Sequence, residues 1–205
     1  MNRVATAAAA PDRRRLPRGE REERMLDAGE RIFGRRGFRS ASMEEIADAS
    51  GITKALLYQY FGSKEGLYEA CVERARARLF DRLEYEAESA SPGRDRLRAV
   101  IAAYFEFLDE QRSSWWLLYG DASMNAVNDM RRRNAEVIAS LIARDVEAAD
   151  GHLDEEAVEL LGHLIVGSGE QVARWWLERP GIPKEQAIER FLAATEAAIG
   201  SVLRA

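Results

Sequence analysis

The sequence predicts an all-α fold, and three observations predict it. Apolar residues recur three and four positions apart in segment after segment, no stretch sustains the period-two alternation of a half-buried strand, and only 5 prolines interrupt 205 residues. With 46% hydrophobic residues the chain is long enough for a small domain and a larger one with its own core. The expected organisation is a disordered tail over 1–17, a three-helix head over 18–65, and a helical body over 66–205 joined to the head by a linking helix.

Ser42 stands three residues before Glu45. At that spacing each side chain satisfies a free amide of an opening helical turn, so a second helix begins at Ser42. Met43, Ile46 and Ala47 fall on one side of it, with Glu44 and Asp48 elsewhere. Ser50-Gly51 then lets the backbone turn through a left-handed conformation. Thr53 caps the third helix, whose Leu57 and Phe61 lie four apart and face inward, leaving Lys54, Ala55, Tyr58 and Gln59 outward. Two short helices across a tight turn, over about 42–61, are the build of a helix-turn-helix. In that motif the second helix enters the major groove N-terminus first, its opening turns meeting base edges while flanking hydroxyls and cations grip phosphates.

The run Met43, Ile46-Ala47, Ser50-Gly51-Ile52-Thr53, Leu57-Tyr58, Tyr60-Phe61 and Ser63-Lys64-Glu65 resembles the signature of the TetR family of bacterial transcriptional regulators. The stretch Arg31 to Phe38 looks like that family's first-helix ending. The resemblance covers about Arg18 to Cys71, and beyond that it rests on helical architecture. It implies that Lys54, Ala55, Tyr58 and Gln59 face bases and that Ser42, Thr53, Tyr60 and Lys64 hold phosphates. Two positions depart from the pattern. Leu56 stands where the family commonly has a small or hydroxylated residue, and it could pack on a thymine methyl. Glu44 stands where some members carry a base-reading cation; it could accept from a cytosine amine or support the helix start.

The formal charge of -5 is unevenly placed: residues 1–65 hold thirteen Lys/Arg against ten Asp/Glu, whereas the remainder holds seventeen against twenty-five. A basic head on an acidic body suits specific DNA binding, since local cations displace counterions while the acidic surface limits nonspecific adhesion. Arg13-Arg14-Arg15 in the tail reads equally as an arm reaching DNA and as a solubilising segment. Ala7 to Ala10 is too short for a signal-peptide core, and no apolar run is long enough to span a bilayer, so a soluble, cytoplasmic protein is expected. The single cysteine, Cys71, excludes an intrachain disulfide and a multi-cysteine zinc cage; it reads as a small packed hydrophobe rather than a redox sensor.

Ser63 caps the linking helix, which continues through Leu67, Cys71 and Leu83 to the break at Ser91-Pro92-Gly93. Leu97, Val100, Ile101, Tyr104, Phe105 and Leu108 outline the next helix, and a shorter one carries Trp115 to Tyr119. Further helices are expected from about Ser123 to Ala149 and from Asp154 to Glu178, and Pro183 opens the last one. There Ile188, Leu192, Thr195, Ile199 and Val202 form a coiled-coil-type seam, buried either on the preceding helix or, as the resemblance implies, in a four-helix homodimer interface built by the last two helices. The small residues Gly162, Gly167 and Gly169 permit close helix approach.

Aromatic residues cluster in the body. Tyr104, Phe105, Trp115, Trp116, Tyr119 and Trp175 are candidates to line a ligand pocket, with Asn128, His163 and Glu170 as polar groups that would orient a ligand; core packing is the competing role for each aromatic residue, and a solvent-facing position for each polar one. No cofactor or metal is expected: the two histidines lie eleven residues apart without ligand spacing, and no nucleophile motif or phosphate loop is present, so the chain does not read as an enzyme. The expected function is a ligand-responsive homodimeric repressor that binds a palindromic double-stranded DNA operator and is released by a small-molecule effector. The alternative is a constitutive DNA-binding or protein-interaction dimer without a ligand pocket.

Overall fold

A computed structural model describes residues 17–112, 117–118 and 125–204, and the side chains of all of these except 125–130. The tail, Trp115, Trp116, Tyr119 and the side chain of Asn128 lie outside the described residues. Among those described there are eight helices and no strand: α1 (Arg18–Ser40), α2 (Met43–Ser50), α3 (Lys54–Phe61), α4 (Lys64–Ser89), α5 (Arg94–Glu110), α6 (Asn125–Ala148), α7 (Glu155–Leu177) and α8 (Lys184–Val202).

The caps expected from sequence set these boundaries. The side chains of Ser42, Thr53, Ser63 and Asp154 accept hydrogen bonds from the amides of Glu45, Leu56, Gly66 and Ala157, each three residues on. Glu45 does not close the reciprocal half of its box; its carboxylate pairs with Arg36 at 3.0 Å. Gly51 adopts the left-handed conformation, with φ 68°, that turns the chain between α2 and α3. Gly37, with φ 72° and ψ 166°, breaks the helical path of α1 before its last residues.

The head is built on α1, whose Met25, Ala28, Ile32 and Phe33 are buried against Ile46 and Ala47 of α2, Leu57 of α3, and Leu67, Tyr68 and Cys71 of α4. Phe33 and Phe38 both meet the Tyr68 ring edge-on, at 5.1 Å between centroids. At Gly29 the helices α1 and α4 approach so closely that a Cβ would stand 2.7 Å from Cys71 Sγ. Burial pushes the Cys71 thiol well above its ordinary pKa, which agrees with a packed hydrophobe and not with a reactive thiolate.

The linking helix α4 is shared by both parts. Tyr68 donates to the Leu117 carbonyl at 3.0 Å, fastening the head to the body. In the body α5 packs on α4 and α8, and α6 packs along α7. Phe105 is fully buried, edge-on to Trp176 at 5.5 Å and tilted against Phe191 at 6.3 Å.

The seam of the last helix turns inward. Ile188, Leu192 and Thr195 are buried on α5 and α7 of their own chain, so these three do not supply a dimer surface, while Ile199 and Val202 farther along the seam are half-buried. An amphipathic stripe states only that it needs a partner, and here the partner is intramolecular. The glycines divide similarly. A Cβ at Gly162 would collide with the Ala135 carbonyl oxygen, which places Gly162 at a close α6–α7 crossing, and one at Gly169 would touch Phe191; Gly167 faces open space.

Candidate nucleic-acid interface and ligand cavity

The exposed side of α3 follows from its shape. Buried Leu57 anchors the helix, so Lys54, Ala55, Tyr58 and Gln59, three and two residues before it and one and two after, point away from the core. All four are exposed, Tyr58 at 41%. Leu56 is less open than these four: it is half-buried and packs partly on the core.

Lys54 Nζ bonds the Glu44 carboxylate and lies 6.0 Å from the centre of the Tyr58 ring. The pair lowers the pKa of Glu44 and raises that of Lys54, each chiefly through their hydrogen bond. Two of the residues expected from sequence to contact DNA, on α2 and at the start of α3, therefore satisfy each other in this structure. Spacing within one helix does not announce this contact, because the partners sit on different helices.

Of the expected phosphate-holding residues, Ser42 and Thr53 are exposed and Tyr60 and Lys64 half-buried. The first two stand at the N-termini of α2 and α3, where free amides and the helix dipole favour an anion. The Tyr60 hydroxyl is held from behind: Arg21 Nε donates to it at 3.2 Å, and the Arg18 guanidinium lies 5.5 Å from its ring centre. Lys64 Nζ donates to the Arg39 carbonyl at 3.3 Å and sits 4.7 Å above the Phe38 ring. Arg18 and Arg21 thus add cationic side chains beside Tyr60, beyond the residues that the motif identifies.

Behind the head, one ion-pair cluster ties α1 to α4. Arg74 contacts Glu23, Asp27 and Glu30 at 2.5, 2.7 and 2.7 Å, and Arg78 reaches the other oxygen of buried Glu30 at 2.6 Å. No spacing rule brings these residues together, since they are 44 to 51 positions apart.

The body holds two voids of interest. A central cavity of about 70 Å³ is lined by Phe80 and Leu83 of α4, Val100 and Tyr104 of α5, Asn134 and Ile138 of α6, and Phe191 of α8, among others. A cleft of about 410 Å³ opens at the distal end, between the start of α5 and the ends of α6 and α8. Of the sequence candidates, Tyr104 reaches the central cavity and Phe105 is spent in the core. Glu170 is buried and paired with Arg131, whose Nε donates to both carboxylate oxygens at 3.0 and 2.9 Å and whose Nη2 lies 2.8 Å from Oε2, and desolvation raises its pKa in spite of that partner. His163 stands on the exposed side of α7, and Trp175 is half-buried under Arg179; neither lines the two voids. Asn134, which sequence reasoning missed, carries no local signature: one asparagine within a polar helical run looks like a surface residue. Among the described residues no cluster of three metal-ligating side chains occurs, and no helix is long and apolar enough to cross a membrane.

Comparison with known proteins covers both parts of the chain. Residues 25–71 match the model of bacterial regulatory proteins of the tetR family, and residues 93–197 match that of a tetracyclin repressor-like C-terminal domain. The chain is 31% identical over 183 residues to the HTH-type transcriptional activator FasR of Mycolicibacterium smegmatis, across 85% of this chain and 81% of that protein. A TetR-like transcriptional regulator from Rhodococcus sp. RHA1 has a similar crystal structure, with a TM-score of 0.75 at 30% identity over 91% of this chain and 99% of that one. FadR from Bacillus subtilis, solved in complex with stearoyl-CoA, shares the fold with a TM-score of 0.70 at 15% identity, over 88% and 97% of the two chains.

Proposed function

The chain belongs to the TetR family of bacterial regulatory proteins, and from that premise we propose that it is a ligand-responsive, homodimeric repressor released from a palindromic operator by a small molecule. The family is one of DNA-binding transcriptional regulators, not enzymes. The observation that carries the reading is α3: a capped helix with Leu57 inward and Lys54, Ala55, Tyr58 and Gln59 outward, beside α2 and followed by Lys64 at the start of α4. Such a helix fits the major groove, with Tyr58 and Gln59 at base edges and Ser42, Thr53, Tyr60 and Lys64 at phosphates.

A palindrome requires two heads about 34–36 Å apart, hence a dimer. Support for the interface comes from the outer side of α7, where Leu160 and Leu164 are 58% and 45% exposed and Gly167 continues their line at helical spacing. Ala193, Ala194 and Ala197 follow on α8, all three exposed and outside the buried seam. The last two helices thus remain the proposed dimer elements, through faces other than the inward seam.

The effector reading is supported by the distal cleft, whose roughly 410 Å³ lies within the usual range of ligand sites; a constitutive dimer would need no such space. Release follows if the ligand binds the arrangement with the wrong head separation more tightly, and a preference of about 1–3 kcal/mol changes operator affinity by one to two orders of magnitude. The sign of the transcriptional effect then depends on where the operator lies relative to the promoter, and a cytoplasmic location follows from the target.

The test is fluorescence-anisotropy titration of the protein onto its own upstream intergenic DNA and onto scrambled DNA, at two salt concentrations. Selective, salt-sensitive binding of a dimer per palindrome is the expected outcome. Equal, weak binding to both DNAs would count against the operator-binding reading.

A further inference from the structure

Asn134 lies on α6, is only 4% exposed, and lines the central cavity. Its side-chain Oδ1 has no hydrogen-bond partner. A buried carbonyl oxygen without a donor is costly to a fold, and where one persists in a cavity wall it is poised to take a donor from whatever enters. The cavity, at about 70 Å³, is too small for a whole ligand. It does not end there. Val100 and Ile138 line both the central cavity and the distal cleft, so these two apolar side chains are the partition between a small polar-tipped chamber and a space several times larger.

The cleft has an apolar floor of Leu97, Leu141, Ile142, Val146, Ile199 and Leu203. Its charged residues are matched with one another: Arg94 pairs with Glu196 at 2.8 Å, and Arg96 pairs with Asp145, which also accepts the Gly93 amide at 2.9 Å. Arg94 is 65% exposed at the rim, so the constraint lies at the buried pair: there a ligand carboxylate or phosphate would have to displace Asp145 from Arg96, and an ion left without a partner at that depth is strongly disfavoured.

Resting on the ligand-responsive reading above, we infer that the effector is an uncharged, elongated, apolar molecule with one hydrogen-bond donor. Asn134 Oδ1 accepts that donor in the central chamber, and the apolar body passes Val100 and Ile138 into the distal cleft. Because Leu79, Phe80 and Leu83 of α4 wall the same chamber, occupancy there bears directly on the helix that carries the head.

The inference is tested on the full chain with three probes of one length: 1-dodecanol, its methyl ether, and dodecanoate. Binding is measured by isothermal titration calorimetry and operator release by anisotropy. The alcohol is expected to bind about three- to tenfold more tightly than the ether, the worth of one neutral hydrogen bond, and dodecanoate more weakly than either. Asn134→Leu should erase the preference for the alcohol while the ether still binds. Ile138→Trp, or the milder Ile138→Phe, should block the passage and abolish alcohol binding while operator affinity is kept, which also reports that the variant is folded. Equal binding of alcohol and ether, a preference that survives Asn134→Leu, or no binding of any probe would overturn the ligand class. Alcohol-selective binding without operator release would uphold that class and overturn the ligand-responsive reading instead.

Discussion

The contact between Gly29 and Cys71 lends itself to a double-mutant cycle whose sign is set by geometry. In Gly29→Ala the new methyl carbon stands 2.7 Å from Cys71 Sγ and 3.6 Å from Leu67 Cδ1, so the sulfur is the obstacle and Leu67 is in ordinary contact. Overpacking of this kind costs about 3 kcal/mol at the upper end of its usual range, and the gain in helix propensity from glycine to alanine returns about 1, leaving a loss of about 2 kcal/mol. Cys71→Ala alone removes a fully buried sulfur and leaves a small void, for a loss of about 1 kcal/mol. In the double variant the methyl introduced at position 29 fills the space that the sulfur vacates, and the loss should fall to about 1 kcal/mol or less, against about 3 if the effects were independent. The coupling is therefore about 2 kcal/mol in favour of the double variant. For a chain of this length each kcal/mol moves Tm by about 2–4 °C, so thermal unfolding followed by circular dichroism should place the double variant above Gly29→Ala alone. Losses that add within about 0.5 kcal/mol would refute the argument that the sulfur sets the α1–α4 approach.

Other consequences concern function more directly. Tyr58→Ala should lower affinity for the operator by about 1–3 kcal/mol with little effect on scrambled DNA, whereas Lys64→Ala should weaken both DNAs and reduce the salt slope by about one, measured by anisotropy across a salt series. Glu44→Gln should strengthen binding to all DNA sequences, because it releases Lys54 from its carboxylate partner; unchanged affinity would show that the pair does not compete with DNA. Leu164→Glu should leave the protomer folded but yield a monomer by analytical ultracentrifugation, with loss of tight binding to the palindrome. The raised pKa of Glu170 predicts a pH effect of unusual sign for a carboxylate: the folded chain takes up this proton at higher pH than the unfolded chain does. The group's contribution is thus present below the unfolded value and lost as pH rises through the folded one, so chemical denaturation should show wild type gaining on Glu170→Gln as pH falls from neutrality.

The parts of this architecture that are legible in sequence are those decided within four residues. Ser42, Thr53, Ser63 and Asp154 cap helices through a bond to the third residue on, and Gly51 turns the chain by its own backbone freedom, so boundaries could be read without knowing the fold. The outward side of α3 followed from the positions of Leu57 and Phe61 in the same helix. The adjacent Trp175 and Trp176 could not share a side, and they do not: the first is half-buried and the second buried. What periodicity could not supply is the identity of a partner across the chain. The stripe Ile188, Leu192 and Thr195 looked the same whether it met its own α5 and α7 or a second protomer. Lys54 with Glu44, Tyr60 with Arg21, and Arg74 with three carboxylates of α1 each join different helices, and the importance of Asn134 rests on what surrounds it, not on what precedes it.

The cluster of Arg74 and Arg78 with the carboxylates of α1 makes the head and the near end of α4 a single lever arm. The arm is long: 26 residues of α-helix extend about 39 Å. A tilt of about 5° about its far end would displace the head by roughly 3 Å, nearly one base-pair step of DNA at about 3.4 Å. In a symmetric dimer both heads move, and the error in their separation doubles. On the proposed homodimeric, ligand-responsive reading, a shift of a few side chains around Leu79 and Leu83, no larger than the width of a methyl group, would thereby be converted into a register mismatch across the operator.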